Sequence, residues 1–184
     1  MKCKGFSLSE MIIVIVIIAI LLAIGIPAYL ASVRRAEVKN VANGLADMLS
    51  MLYEYEDKEV VFDKYFVKIN NYIVPDPVTG ETYLQIQLVK YERGTEKVLK
   101  ELKSKSAELD SDVIVTGSGP VATYIYYDNK GILWRFSGSP GVRSNESYFP
   151  NANKEFVVRI RGVTGGYQKK VIVRVMPPGS VEVK

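Results

Sequence analysis

Two groups of side chains in this chain could do chemistry by their type and position. The first is one carboxylate, Glu10, which stands immediately ahead of a run where every side chain from Met11 to Ile24 is apolar and no charge occurs from Met11 to Ala31. An acid well inside a membrane helix costs about 2.5–3.5 kcal/mol on insertion scales, so a carboxylate at the edge of such a run asks for a partner. If the chain were cut ahead of residue 6, the new amine would lie about one helical turn away. The same pairing made between neighbouring molecules would neutralise two charges at once. An acid resting at the headgroup boundary is the plainer alternative. The second group comprises Lys154, Arg159, Arg161, Lys169, Lys170 and Arg174, in a final third (Asn129 to Lys184) that holds 10 Lys and Arg against 3 Asp and Glu. Such a segment could steer an anionic partner, whether nucleic acid, lipid headgroup or an acidic subunit, or could simply be a solvated surface.

The rest of the composition points away from catalysis. The chain has no histidine, which removes the commonest general base, the Ser-His and Cys-His nucleophile pairs and the usual transition-metal ligand. Its one cysteine, Cys3, excludes an intrachain disulfide. The GSGP stretch from Gly117 to Pro120 lacks the spacing and the lysine-hydroxyl ending of a phosphate loop. Asp110 and Asp112 could bind calcium, but the twelve-residue loop with its later glutamate is absent. Glu54, Glu56, Asp57 and Glu59 read as a solvated helix end. No cofactor, no metal and no enzymatic activity are expected.

The elements that must position these residues follow from periodicity. The apolar run roughly matches the ~20 residues that span a bilayer core. A secretory signal peptide begins similarly, but no small-x-small cleavage site closes the run, Glu10 intrudes at its start, and the pattern beyond it stays helical. Apolar residues recur at Val38, Val41, Leu45, Met48, Leu49 and Leu52, the spacing of a helix with one apolar stripe. Phe6 to Asp57 is therefore expected as one rod of roughly 75–80 Å. Gly25 and Pro27 interrupt its inner half, where the missing amide hydrogen and the crowding of the Ala23 carbonyl predict a kink or local melting. After Glu59 the chain turns to β-branched and aromatic residues. Strands are expected in Val60–Ile69, in Tyr83–Tyr91 followed by an Arg93-Gly94 turn and a second arm from Thr95 to Leu102, and then in DVIVTG, ATYIYYDNKGILWRF, EFVVRIRG and KKVIVRVMPPGSVEVK. The second arm could equally be a short helix started by Thr95. The expected fold is α+β: a long N-terminal helix, transmembrane over about residues 6–31, whose outer half covers the apolar face of an antiparallel sheet formed by residues 58–184.

At this point the N-terminus resembles a type IV pilin signature. Gly5-Phe6-Ser7-Leu8-Ser9-Glu10 followed by an unbroken apolar helix is similar to the prepilin cleavage and methylation motif, with Lys2 and Lys4 in a short basic leader covering residues 1–5. The resemblance implies cleavage by a prepilin peptidase between Gly5 and Phe6 and N-methylation of Phe6. It places Glu10 where the family's assembly glutamate contacts the amine of an adjacent subunit's first residue, and Gly25 and Pro27 in the family's helix-breaking region. The implied topology is single-pass in the inner membrane, with the leader cytoplasmic and the head outside. The implied partners are membrane lipid, an inner-membrane assembly platform and other pilins or pseudopilins in a filament. The later strand order resembles the GspH/FimT minor pseudopilin and pilin group, which implies a minor subunit of a type IV pilus or a type II secretion pseudopilus. Members of that group linked to DNA uptake carry arginines beside a terminal glycine, whereas Gly179 here is followed by Ser180, Val181 and Glu182. A DNA-binding minor pilin using the basic final third is the alternative reading.

Overall fold

The computed structural model describes residues 8–60, 62, 64–75, 80–110, 122–149, 153–163, 165–174 and 180–184. One helix, α1 (Leu8–Glu59), precedes ten strands: β1 (Tyr65–Pro75), β2 (Thr82–Glu92), β3 (Thr95–Ser104), β4 (Ala107–Leu109), β5 (Thr123–Tyr127), β6 (Leu133–Ser139), β7 (Val142–Tyr148), β8 (Asn153–Ile160), β9 (Gln168–Arg174) and β10 (Ser180–Val183). The architecture is the expected α+β one, a long apolar N-terminal helix packed through its outer half on antiparallel strands. It differs in having two sheets instead of one. The order is β3-β2-β1-β5-β6-β7 in the first and β10-β9-β8-β4 in the second.

The stripe on α1 explains why both sheets hold to it. Val38, Val41, Ala42, Leu45, Ala46, Met48, Leu49 and Leu52 are buried, and they share one core with Val67, Ile69, Leu84, Ile86, Leu88, Ile125 and Tyr127 of the first sheet and Phe156, Val158, Val171 and Val173 of the second. Spacing of three and four residues keeps these side chains on one helix face, and alternation in the strands turns their partners toward it. The stripe runs further than its aliphatic members suggest. Glu56, expected in a solvated helix end, is buried, because it lies four residues beyond Leu52 on the same face. Glu59, at the end of α1, accepts hydrogen bonds from the Tyr65 hydroxyl (2.6 Å) and the Lys90 ammonium (3.1 Å). The helix end is thus tied to β1 and β2.

The first sheet also has an apolar outer face. Phe66, Val89, Tyr124, Tyr126 and Phe136 form a second buried cluster, with the Tyr124 and Phe136 rings stacked 5.1 Å apart and Phe66 set edge-on to Phe136 at 5.6 Å. Arg143 of β7 covers it, with its guanidinium 4.8 Å from the Tyr126 ring centroid and 5.2 Å from that of Phe136. Glu146 orients the cover by pairing with Arg143 at 3.1 Å and accepting from the Tyr126 hydroxyl at 2.7 Å. A Cβ at Gly141, in the β6–β7 turn, would stand 2.6 Å from the Tyr91 hydroxyl, so the two ends of the sheet approach each other over this cluster.

Local chemistry accounts for the turns. Arg93 and Gly94 both have positive φ (53° and 80°), the paired left-handed geometry of a two-residue hairpin turn, and Glu92 pairs with Thr95 across it. The arm from Thr95 is therefore a strand, as expected, and not a helix. Between β5 and β6 the Asp128 carboxylate accepts from the Lys130 and Ile132 amides (2.9 and 2.8 Å) and from the Trp134 indole (3.1 Å). β1 starts at Tyr65 instead of Val60, since Val60 ends the helix with φ 55°. The expected strand DVIVTG falls at residues 112–117, outside the described residues.

Candidate functional site

The side chains of residues 8–36 are all exposed, and the first position to be half-buried is Glu37. At about 1.5 Å per residue, this leaves roughly 43 Å of α1 projecting from the head. Its apolar residues face every direction, with Met11 57%, Ile17 52%, Ile24 70% and Leu30 49% exposed. By length and composition, α1 is long and apolar enough to cross a membrane. A helix apolar on all sides must be enclosed by lipid or by other helices.

Glu10 lies in the first turn of α1. The positive end of the helix dipole favours a carboxylate there. Gly5 and Phe6, the expected cleavage and methylation positions, lie outside the described residues. Pro27 sits within α1, which continues as helix from Leu8 to Glu59. The helix is unbroken at Gly25 and Pro27, where a kink or local melting is expected. Proline removes one amide donor there, while the turns on either side remain intact.

The six cations of the final third do not form one patch. Pairing of Val157 with Lys170 and of Asn153 with Arg174 puts Arg159, Lys170 and Arg174 on the face of the second sheet turned away from α1. Lys169 has the same strand parity as buried Val171 and Val173, and Lys154 lies 4.9 Å from the Phe149 ring centroid. On the outer face each cation meets an acid: Arg159 with Glu108 (2.7 Å), Lys170 with Glu155 (2.8 Å) and Arg174 with Glu182 (2.8 Å). Lys170 helps to hold the Glu155 carboxyl below its ordinary range, first by hydrogen bonding and then by its charge. This is a mixed-charge surface.

Where the projecting helix enters the head, the structure assembles a site that strand periodicity did not show. The Glu37 carboxylate accepts from the Ser104 hydroxyl (2.6 Å) and from the backbone amides of Lys105 (3.1 Å) and Ser106 (3.4 Å). Burial alone pushes the Glu37 carboxyl up, but the hydrogen bonds from Ser104, Ser106 and Lys105 together hold it below the usual range. Just below, Arg34, Lys105, Ser106, Ile160 and Arg161 line an open groove of about 210 Å³, and the Arg35 guanidinium lies 5.9 Å from the Tyr167 ring centroid. The readable signal was Glu37 itself, one acid after Arg34-Arg35 at the start of the buried stripe.

Among the described residues no group of three or more His, Cys, Asp or Glu is placed to hold a metal. The projecting apolar helix, its single early carboxylate and the two-sheet head define a pilin-like α+β protein. A family model described as the prokaryotic N-terminal methylation motif matches residues 1–26, which supports the type IV pilin and pseudopilin class. That motif marks structural rather than catalytic subunits, implies processing by a prepilin peptidase and assembly with other pilins, and fits inner-membrane anchoring through the apolar helix. No curated protein and no solved structure matches the chain.

Proposed function

We propose that this chain is a minor pilin or minor pseudopilin of the GspH/FimT kind, a subunit of a type IV pilus or of a type II secretion pseudopilus. The observation that carries the reading is the length of α1 left bare by its own head, apolar on every side and bearing the methylation motif at its start. In the membrane this surface meets lipid, with the leader cytoplasmic and the head outside. In the filament, once the assembly platform draws the subunit out of the membrane, it meets the helices of neighbouring subunits. A prepilin peptidase cuts between Gly5 and Phe6, and the Phe6 amine is methylated. Glu10 then pairs with the Phe6 amine of an adjacent subunit and sets the axial register, so that two charges cancel inside an apolar bundle. Gly25 and Pro27 mark where α1 can loosen during that transfer, because the bond to the Ala23 carbonyl is missing there.

The deciding experiment is Glu10→Ala in the full chain. The variant is expected to insert and to be cleaved, yet to be missing from purified filaments. Incorporation equal to wild type would overturn the role of Glu10. The DNA-capturing alternative needs a continuous cationic surface, and the pairing of Arg159, Lys170 and Arg174 with carboxylates favours the structural reading over it.

A further inference from the structure

Three features lie outside the filament reading. The aromatic cluster under Arg143 is closed by its own residues. The exposed Val142 and Tyr148 on edge strand β7 leave nothing to say what would cover them. The groove where α1 enters the head differs from both, because its chemistry and its position point to one ligand.

Its cations come from three separate elements. Arg34 belongs to α1, Lys105 to the β3–β4 turn, and Arg161 follows β8; all three line one groove with Ser106 and Ile160. Arg35, the next residue on α1, packs against the Tyr167 ring. Of the acids nearby, Glu81 is paired with a cation of the groove itself, while Glu37 and Glu108 bond to other groups. Glu37 accepts from Ser104 and from the amides of Lys105 and Ser106, Glu81 pairs with Lys105, and Glu108 holds Arg159 and the Gly162 amide. Three of the five residues that line the groove, Arg34, Lys105 and Arg161, are cations, and none of the five is an acid. Arg34 follows the last uncharged stretch of the apolar helix by less than one turn, and Tyr29, 69% exposed, lies just before it. Tyrosine at the edge of an apolar span, followed by arginine and lysine, is the arrangement that settles at the level of lipid headgroups.

We propose that Arg34, Lys105 and Arg161 form a site for the phosphate of an anionic phospholipid headgroup, occupied while the subunit waits in the membrane. The inference rests on the membrane-spanning reading of α1. A headgroup in this groove would seat the head on the bilayer surface and fix the depth of the helix. Arginine suits the task through its planar fork of donors, which matches phosphate oxygens. Extraction into a filament must then remove the headgroup, so anionic lipid would hold the waiting pool in place.

The test uses the full chain, purified from membranes in a mild nonionic detergent and offered equimolar phosphatidylglycerol and phosphatidylcholine, with retained lipid read by native mass spectrometry. Wild type is expected to retain phosphatidylglycerol preferentially. Arg34→Gln, which alters only an exposed helix position, should weaken the preference roughly fivefold, and Arg34→Gln with Arg161→Gln should weaken it further. Arg93→Gln, in the β2–β3 turn, should leave it unchanged. Equal retention of the two lipids by wild type, or an undiminished preference in the double variant, would overturn the site. Displacement of the lipid by millimolar inorganic phosphate would also overturn the lipid assignment in favour of a free anion. Extraction of the wild-type chain from membranes by alkaline carbonate would instead refute the membrane-spanning reading beneath the proposal. Carbonate resistance without lipid preference would refute the groove alone.

Discussion

Removing the Glu37 carboxylate should loosen the head on its helix by a predictable amount. This side chain is the first half-buried one along α1, and its carboxylate accepts three hydrogen bonds at 2.6, 3.1 and 3.4 Å. Hydrogen bonds to a charged group contribute about 1.5–3 kcal/mol each when sheltered. Here the site is half-exposed and the third bond is long, so the set is worth roughly 2 kcal/mol after allowance for solvent screening. Glu37→Ala should lose about that much, and Glu37→Gln, which keeps one acceptor oxygen but no charge, about 1 kcal/mol. The sign with pH follows from the direction of the shift. The Glu37 carboxyl is held below its ordinary value in the folded chain, so its contribution is fully present above the unfolded carboxylate pKa and disappears as pH falls through the lower folded one. The assay is urea unfolding of residues 32–184, which retain every buried residue of the described core, followed by the fluorescence of Trp134, the one tryptophan. The gap in stability between wild type and Glu37→Gln should be constant near neutral pH and close toward zero in acid. A gap of zero at pH 7, or one that does not change as the carboxyl protonates, would refute the reasoning.

Three further substitutions probe other parts of the head. Val60 holds φ 55° and is 78% exposed, so Val60→Asn relieves left-handed strain without uncovering core and should raise the unfolding free energy by about 1 kcal/mol; an unchanged urea midpoint would contradict this. Leu49 is fully buried between helix and strands, so Leu49→Ala should cost about 2–5 kcal/mol in the same assay, and a loss below 1 kcal/mol would mean that the stripe is not the main attachment. Arg143→Ala uncovers the outer aromatic cluster and should cost about 1–2 kcal/mol, with Arg143→Lys recovering only part because an ammonium lacks the flat face; full recovery by lysine would show that charge alone holds the cover.

Residue patterning carried the long helix, its buried stripe and most strands, because each depends on a local period that the side chains repeat. The Arg93-Gly94 turn was legible for the same reason. What escaped was set by tertiary placement. β7, with the sequence VRSNESY, presents mostly polar side chains on both faces, and β4 is only three residues long, so neither has a period to read. Glu56 looked solvated by type, although its place four residues after Leu52 pointed inward. The second core was hinted at by TYIYY, buried at all five positions of β5, since a strand apolar on both faces needs cover on both. The candidate site divides likewise. Glu10 stood out by charge against an apolar background, whereas the groove joins Arg34 to Lys105 and Arg161 from distant parts of the chain. The even spread of acids through the second sheet's outer face depends on strand order, which net charge along the sequence hides.

The central claim, that α1 begins as a processed filament helix, is tested most directly by the mass of the mature N-terminus. Protein recovered from membranes and from filaments should begin at Phe6 and carry one methyl group on its amine. A mature chain that still begins at an unmodified Met1 would contradict the account at its root.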